Sequence, residues 1–519
     1  MSRTRLDFRK LTGNGFWALL LFAVALVSAD NFADPDLWMH ILAGRLILAG
    51  HIPPMTDPFS YSTSGMAWRD HEWLAQAALA LSYDTLGVLG LKLLKMFCAA
   101  IAMASLAIGI SQTAAGTGAF RRVALIVTAM LMVEPMQFRP QLFTFAMLSA
   151  ELAILAVEIY WDKAPLWVLV PMFALWVNLH GGYAAGLGAL GVATAVVALQ
   201  STYRSSLRRK AGRLIIVTVL CSLATLLNPF GLSAAKTVMH SVSDPLIRQL
   251  VVEWRSLPQS LAYQWHNGPR AAVLIGIAPP LLFVFFVAML VRAPNLDDAP
   301  MVAVALVFIC AGIYQARNVS LAVLAVAIPL AHHSALAFKS TEDDRPAASG
   351  LMVALAIVVM LAGGSFSRRL QTWSAMPSGV ISFMNSNHLR GNILNQLEWG
   401  EYLAWHEPDS RIFVDGRAET VYSDNVMLEY AKFYYGVDGG DKLLDACPND
   451  FVLLIPTSKA YQTMLSERGW RLIYRDKISA LFQRTSLAAG ATSSSSSTSR
   501  STSQNSNELP PVNAPSSFP

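Results

Sequence analysis

The chain of 519 residues is 54% hydrophobic and 14% charged, against about a quarter charged in an average soluble domain, which excludes a single soluble globular fold. A net charge of +5 whose distribution suggests no basic nucleic-acid surface excludes a nucleic-acid partner. The four scattered cysteines Cys98, Cys221, Cys310 and Cys447 exclude a thiolate metal site or a paired redox motif. Repeated apolar runs of roughly 17 to 23 residues predict a polytopic α-helical membrane protein instead.

The chain opens with Arg3, Arg5, Arg9 and Lys10, which places the N-terminus in the cytoplasm by the positive-inside rule. The first apolar run follows, from Gly15 to Phe32. Val27-Ser28-Ala29 before Asp30 has the form of a signal-peptidase site, but the run continues past it and the segment reads as a retained span. The run stops at Asp34-Pro35-Asp36-Leu37-Trp38. Asp34 fits a helix N-cap with Pro35 in the first helical position, so a helix begins here along the membrane surface, with Asp36 and His40 on one face.

The first outer loop, 30–87, is broken by prolines and carries Trp68-Arg69-Asp70-His71-Glu72-Trp73, where Asp70 can cap a second surface helix running to Leu81. Spans are expected near 88–110, 123–136, 142–160, 166–177, 183–199 and 214–227. The basic segment 204–213 then falls in the cytoplasm, as alternation requires. A second outer loop, 228–270, precedes spans near 273–291, 301–313, 321–335 and 351–362. The total is about eleven crossings, on the length a bilayer needs, and an odd number puts the C-terminus outside. Residues 1–370 form this transmembrane domain. Residues 371–486 read as an extracytoplasmic α/β domain, with strands at 412–414, 451–455, 471–474 and 480–482 and helices at 426–434 and 458–468. The serine-rich tail, 487–519, has too little apolar content to fold.

With this topology the unusual polar residues collect at the outer ends of the spans. Asp34, Asp36 and His40 are joined there by Asp70, His71 and Glu72, by Glu134, Arg139 and Gln141, and by Asn178 and His180. Asn228, Glu253, Arg255, Gln315 and Arg317 complete the group. Ionisable groups at span ends are costly to desolvate and mark a functional face. Carboxylates can deprotonate a hydroxyl or hold a divalent cation, and arginines can grip a phosphate through paired hydrogen bonds. The mixture suits transfer from a phosphate leaving group. Gly186-Leu187-Gly188-Ala189-Leu190-Gly191 matches a dinucleotide fingerprint, but it lies inside an apolar span with no strand before it, so close helix packing explains it. His332-His333 falls at an inner helix end and is read as having no catalytic role.

The acidic pair after the first span, the two surface helices, the number of spans and the C-terminal α/β domain together resemble the GT-C superfamily of membrane glycosyltransferases. Asp34-Pro35-Asp36-Leu37-Trp38, Trp68 to Trp73, Arg139-Pro140-Gln141, Asn178 to Gly182, Asn228-Pro229-Phe230-Gly231 and Phe413-Val414-Asp415-Gly416-Arg417 are similar to segments of a less characterised bacterial branch. The resemblance implies a plasma-membrane enzyme taking a polyprenyl-phosphate-linked sugar from the bilayer and an acceptor from the outer side. It also implies a catalytic aspartate in the first outer loop, here Asp34 or Asp36, with Asp36 preferred because its face carries His40. Arg139 and Arg317 become candidates for the departing phosphate. Asp70, His71, Glu72, Gln141, Asn178, His180, Glu253 and Arg255 become candidate binding groups. Some relatives use a divalent cation such as Mg²⁺ or Mn²⁺ and others do not. Two further readings stay open: a silent relative acting as an assembly or recognition subunit, and a transporter of lipid-linked sugar. Polar groups at one end, without a repeat or midplane site, argue against the transporter.

Overall fold

The computed structural model describes residues 14–485 apart from 54, 64–65, 114–117, 244–251, 269, 339–348, 365–366, 373–374, 419 and 438. The basic opening segment and the serine-rich tail lie outside the described residues. The chain divides into two compact units. The first holds the described residues through Phe32 together with Ser82–Leu370, and the second holds Ala33–Leu81 together with the described residues from Gln371 onward. Residues 33–81 of the first outer loop thus group with the C-terminal α/β residues, whereas the sequence reading had assigned them to the transmembrane domain.

The first unit is helical, and each run expected as a span overlaps a helix. Among the described residues, six helices are long and apolar enough to cross a membrane: Val88–Ser111, Gln141–Trp161, Tyr183–Tyr203, Ala272–Arg292, Leu296–Tyr314 and Ala316–Ala337. Gly15–Val27, Leu166–Trp176 and Gly350–Ala362 are apolar but shorter. The core forms around Val319–Ala337, which is buried everywhere except at Val319 and Leu336. A helix apolar on all faces belongs inside a bundle. Its neighbours instead carry exposed apolar side chains such as Leu274, Leu281 and Val284, the pattern of surfaces solvated by lipid rather than water. Gly109 lets the helix Val88–Ser111 come close, because a Cβ there would meet Ile328 at 2.5 Å and Ala153 at 3.3 Å. Small residues at such crossings supply the close packing that lipid cannot drive by hydrophobicity.

The far end of Gln141–Trp161 is also polar. Tyr160 donates to Asp298 at 2.5 Å, and His333 Nε2 lies 3.1 Å from the other oxygen of Asp298. The Nδ1 atom of His333 meets the Ala293 carbonyl at 2.8 Å, and Arg213 pairs with Glu158 at 2.9 Å. His332 and His333 are therefore buried tie points between helices.

The second unit is built on a five-stranded sheet in the order β4-β3-β5-β7-β6. Its strands are β3 (Asn392–Asn395), β4 (Arg411–Ile412), β5 (Phe451–Leu454), β6 (Trp470–Arg475) and β7 (Ala480–Arg484). β3 pairs in parallel with both β4 and β5, and β7 runs antiparallel between β5 and β6. β5 is buried at every position, which is why it reads as an unbroken apolar run. β3 was missed because its two apolar residues are flanked by asparagines. Asn395 explains that choice: its amide is fully buried, donates to the Val414 carbonyl at 2.7 Å and accepts from the Phe413 N–H at 2.9 Å. It holds the turn that follows β4.

The loop residues complete this unit. The backbone of Phe59 and Tyr61 pairs with both the N–H and the C=O of Ile412, covering the edge of β4 that would otherwise be unpaired. A two-stranded ribbon, β1 (Met55–Thr56) with β2 (Ala67–Trp68), lies in the same loop. The helices Asp36–Leu48 and Trp73–Leu86 cross at Gly44, where a Cβ would fall 2.1 Å from the Gln76 carbonyl oxygen. Replacing Asn395 by leucine strands the buried C=O and N–H of Val414, while the Phe413 N–H keeps its bond to the Ile393 carbonyl. A loss of about 3 kcal/mol is expected in unfolding of the purified protein in detergent, and unchanged stability would refute this account of β3.

Candidate active site

The second unit gathers the first-loop carboxylates. Asp34 is buried, and its Oδ1 accepts the Asp36 N–H at 3.0 Å. It therefore closes the turn into the helix Asp36–Leu48, in which Leu37, Trp38, Met39, Ile41, Leu42 and Ala43 are buried. Asp36 and His40, one helical turn apart, are only partly buried and share the open face. Asp36 Oδ1 lies 3.0 Å from where a Cβ on the exposed Gly416 would sit.

Behind that glycine, Glu401 on the helix Gly400–His406 is buried, and its Oε1 accepts the Gly416 N–H. Trp38 meets Tyr402 edge-on at 5.2 Å, and the Arg45 guanidinium lies 5.0 Å from the Trp405 ring. These contacts hold the two helices together. Burial raises the Glu401 carboxyl well above its ordinary value, and the charges of Asp415 and Asp36 push the same way.

Arg417 organises the next layer. It pairs with Asp415 at 2.6 Å and with Asp57 at 2.9 Å, donates to Ser60 at 3.2 Å, and sits 4.6 Å from the Trp68 ring centre. Burial tends to raise Asp57, but the charge and hydrogen bond of Arg417 outweigh it and hold that carboxyl below the usual range. Asp70 is also buried. Its Oδ1 accepts from the Glu72 N–H and the Gln76 amide, both at 3.1 Å, while Oδ2 has no hydrogen-bond partner among the described residues. Burial raises Asp70 to about 7, against the Glu72 N–H and the Arg417 charge. His71 and Glu72 lie 4.0 Å apart and are partly exposed.

In the first unit, Arg139, which precedes the helix Gln141–Trp161, contacts Glu253 at 3.4 Å. Arg317 stacks 3.9 Å from the centre of the Trp254 ring, and the Ala316 N–H bonds to the Arg255 carbonyl at 2.9 Å. Partial burial raises Glu253, and the charges of Arg139 and Arg317 more than offset it, leaving the carboxyl below its ordinary value. Both guanidiniums therefore act on this one carboxylate. The Arg255 guanidinium lies over Tyr263 at 5.3 Å, and Gln141 opens its helix, partly exposed.

His180 is held by a relay. Trp176 Nε1 donates to Thr144 Oγ1 at 2.9 Å, Thr144 Oγ1 meets His180 Nδ1 at 2.8 Å, and the Gly182 N–H donates to the same nitrogen at 2.9 Å. A nitrogen that accepts an N–H carries no proton, so the neutral ring bears its hydrogen on Nε2. A Cβ on Gly182 would lie 2.3 Å from Thr144 Oγ1, and one on Gly186 would meet Trp176 at 2.5 Å. Both glycines therefore serve packing. Asn178 spends its amide on the carbonyls of Ala174 and Leu227 at 2.9 and 2.8 Å, a structural tie.

Among the predicted residues, the structure thus places Asp36 beside Glu401 and Gly416, and Arg139, Glu253 and Arg317 in one group. Asp34 and Asn178 are turned to local structure. Sequence reasoning missed Glu401 and the role of Asp57, whose partner Arg417 is 360 residues away. Among the described residues, no three of His, Cys, Asp and Glu are grouped to hold a metal ion.

No family model matches the sequence, and no curated protein is significantly similar to it. Its fold is similar to that of archaeal oligosaccharyltransferase AglB from Archaeoglobus fulgidus in complex with an inhibitory peptide and a dolichol-phosphate. The TM-score is 0.56 at 13% identity, over 86% of this chain and 70% of that one. The Archaeoglobus fulgidus oligosaccharyltransferase tethered to an acceptor peptide containing the NVT sequon gives 0.52 at 12% identity, over 86% and 69%. Arabinofuranosyltransferase AftD from Mycobacteria gives 0.52 at 13% identity, over 93% of this chain but only 40% of that one. The chain therefore has the fold of the GT-C membrane glycosyltransferases. At this identity the likeness is one of fold, and function has to be argued from the residues.

Two outcomes follow for the second unit. Arg417→Ala leaves two buried carboxylates uncompensated, with an expected loss of about 3–5 kcal/mol at neutral pH that shrinks in acid as they protonate. Equal stability at pH 7 would refute the network. For Asp70 the folded value lies above the ordinary 3.8, so its ionisation weakens the fold as pH rises from there through about 7. Thermal unfolding of Asp70→Asn is expected to gain on the wild type across that window and to run parallel above it.

Proposed function

We propose that this protein is a membrane glycosyltransferase that moves a sugar from a polyprenyl-phosphate donor to a hydroxyl-bearing extracytoplasmic acceptor with inversion at the anomeric carbon. The observation that carries this reading is the division of labour between the two aspartates on a GT-C fold. Asp34 is buried and occupied by the helix start, while Asp36 keeps a partly exposed carboxyl beside the exposed Gly416. A general base must reach the proton it removes, and Asp36 meets that requirement better than Asp34.

In the step we infer, Asp36 takes the proton of the acceptor hydroxyl as its oxygen forms a bond to the anomeric carbon. The bond from that carbon to the phosphate oxygen breaks, and the electron pair leaves with the lipid phosphate. Arg139 and Arg317 are our phosphate-binding groups, because guanidinium matches phosphate geometry through paired hydrogen bonds. The extracytoplasmic side is our assignment from the charge pattern of the loops.

The test is transfer or hydrolysis of a panel of radiolabelled polyprenyl-phosphate sugars by the purified protein in lipid. Asp36→Asn is expected to lower turnover by about 10²–10⁴ with folding intact, and Asp34→Asn to act mainly on stability. Arg139→Ala and Arg317→Ala are expected to reduce turnover by about 10²–10³ each. Donor binding with turnover indifferent to Asp36→Asn would favour a transporter or a recognition subunit.

A further inference from the structure

Glu401 is the largest element of the Asp36 surroundings that the proposed reaction leaves unused. It comes from the C-terminal part of the second unit and is 1% exposed. Its Oε1 receives the Gly416 N–H and lies 2.5 Å from the point where a Gly416 Cβ would sit. Asp36 Oδ1 lies 3.0 Å from that same point. The two carboxyls therefore approach each other across a residue with no side chain.

Among the described residues, the charges that act on Glu401 are those of Asp415 and Asp36, and the packed elements carry further titratable groups. The helix Asp36–Leu48 brings Asp36, with His40 one turn on and Arg45 over Trp405. The turn after β4 brings Asp415 and Arg417. Glu401's own helix carries Tyr402 and His406, and burial lowers His406 to about 4, so it is neutral. Arg417 is already committed to Asp57 and Asp415. Among the described residues no cation pairs with Glu401. Two carboxyls this close, one of them buried and without a counter-charge, are expected to hold one proton between them.

We propose that Glu401 is a positioning residue that carries this proton and donates it as a hydrogen bond to ionised Asp36, holding that carboxylate at Gly416 for the acceptor. Asp36 is the base and Glu401 remains a neutral acid throughout. The buried member keeps the proton because its ionised form is the costlier to solvate. Gly416 is glycine here because a methyl group would wedge the pair apart. The inference rests on the reading of Asp36 as the base.

The experiment is the pH profile of kcat for wild type, Asp36→Asn, Glu401→Gln, Glu401→Ala and Gly416→Ala in the donor assay, with infrared difference spectra of the buried carboxyl band. Glutamine keeps both the acceptor for Gly416 and a donor for Asp36. Glu401→Gln is therefore expected to lose less than about tenfold and Glu401→Ala more than about a hundredfold. The wild type is expected to lose turnover on the alkaline side as Glu401 ionises, and Glu401→Gln to lack that limb and the protonated-carboxyl band. Gly416→Ala is expected to lower kcat with the fold intact. If Glu401→Gln fails as fully as Glu401→Ala, or keeps the alkaline limb, the proton assignment is overturned. If Asp36→Asn turns over normally, the reading of Asp36 falls, whatever Glu401 does.

Discussion

The second unit depends on one buried guanidinium. Arg417 neutralises Asp57 from the first loop and Asp415 from the turn after β4, segments with no reason to meet until the chain has folded. A buried ion pair is weak evidence of net stability, since desolvation offsets most of the attraction, but removing one partner is costly. The network therefore acts chiefly as a register. It fixes Gly416, one residue from Arg417, and with it the surroundings of the Asp36 carboxyl.

Around that point Asp57, Asp70 and Asp415 lie in the field of Arg417, Glu401 lies beside Asp415 and Asp36, and burial separates their behaviour. Asp57 is held ionised by its charge partner, whereas Asp70 and Glu401 are pushed towards the neutral form. Carboxyls with opposed environments can serve as base and acid in one site, which is how one residue type supplies two roles.

The first unit solves a different problem. Its helices meet through glycines and alanines where side chains must be small, and its polar groups occupy the two ends of Gln141–Trp161. At one end Arg139 and Arg317 both act on Glu253. At the other, Tyr160 donates to Asp298 and His333 lies beside its second oxygen. Ionisable groups at span ends mark a functional face, and groups that tie neighbouring helices together mark a structural one.

Much of this was legible in one dimension. Composition and run length are local quantities, so the helical spans, the polar span ends and most of the strands follow from them. Asp34 as a helix start and Gly182 and Gly186 as packing residues were legible for the same reason, since each acts on residues close by in sequence or within one helix crossing. β3 escaped because Asn395 was selected for the backbone groups it satisfies, not for burial of an apolar face. The joining of residues 33–81 to the C-terminal sheet, the pairing of Asp57 with Arg417 and the approach of Glu401 to Asp36 were decided only in three dimensions. Each is a contact between segments hundreds of residues apart, and neither periodicity nor composition records which distant partner a buried charge will find.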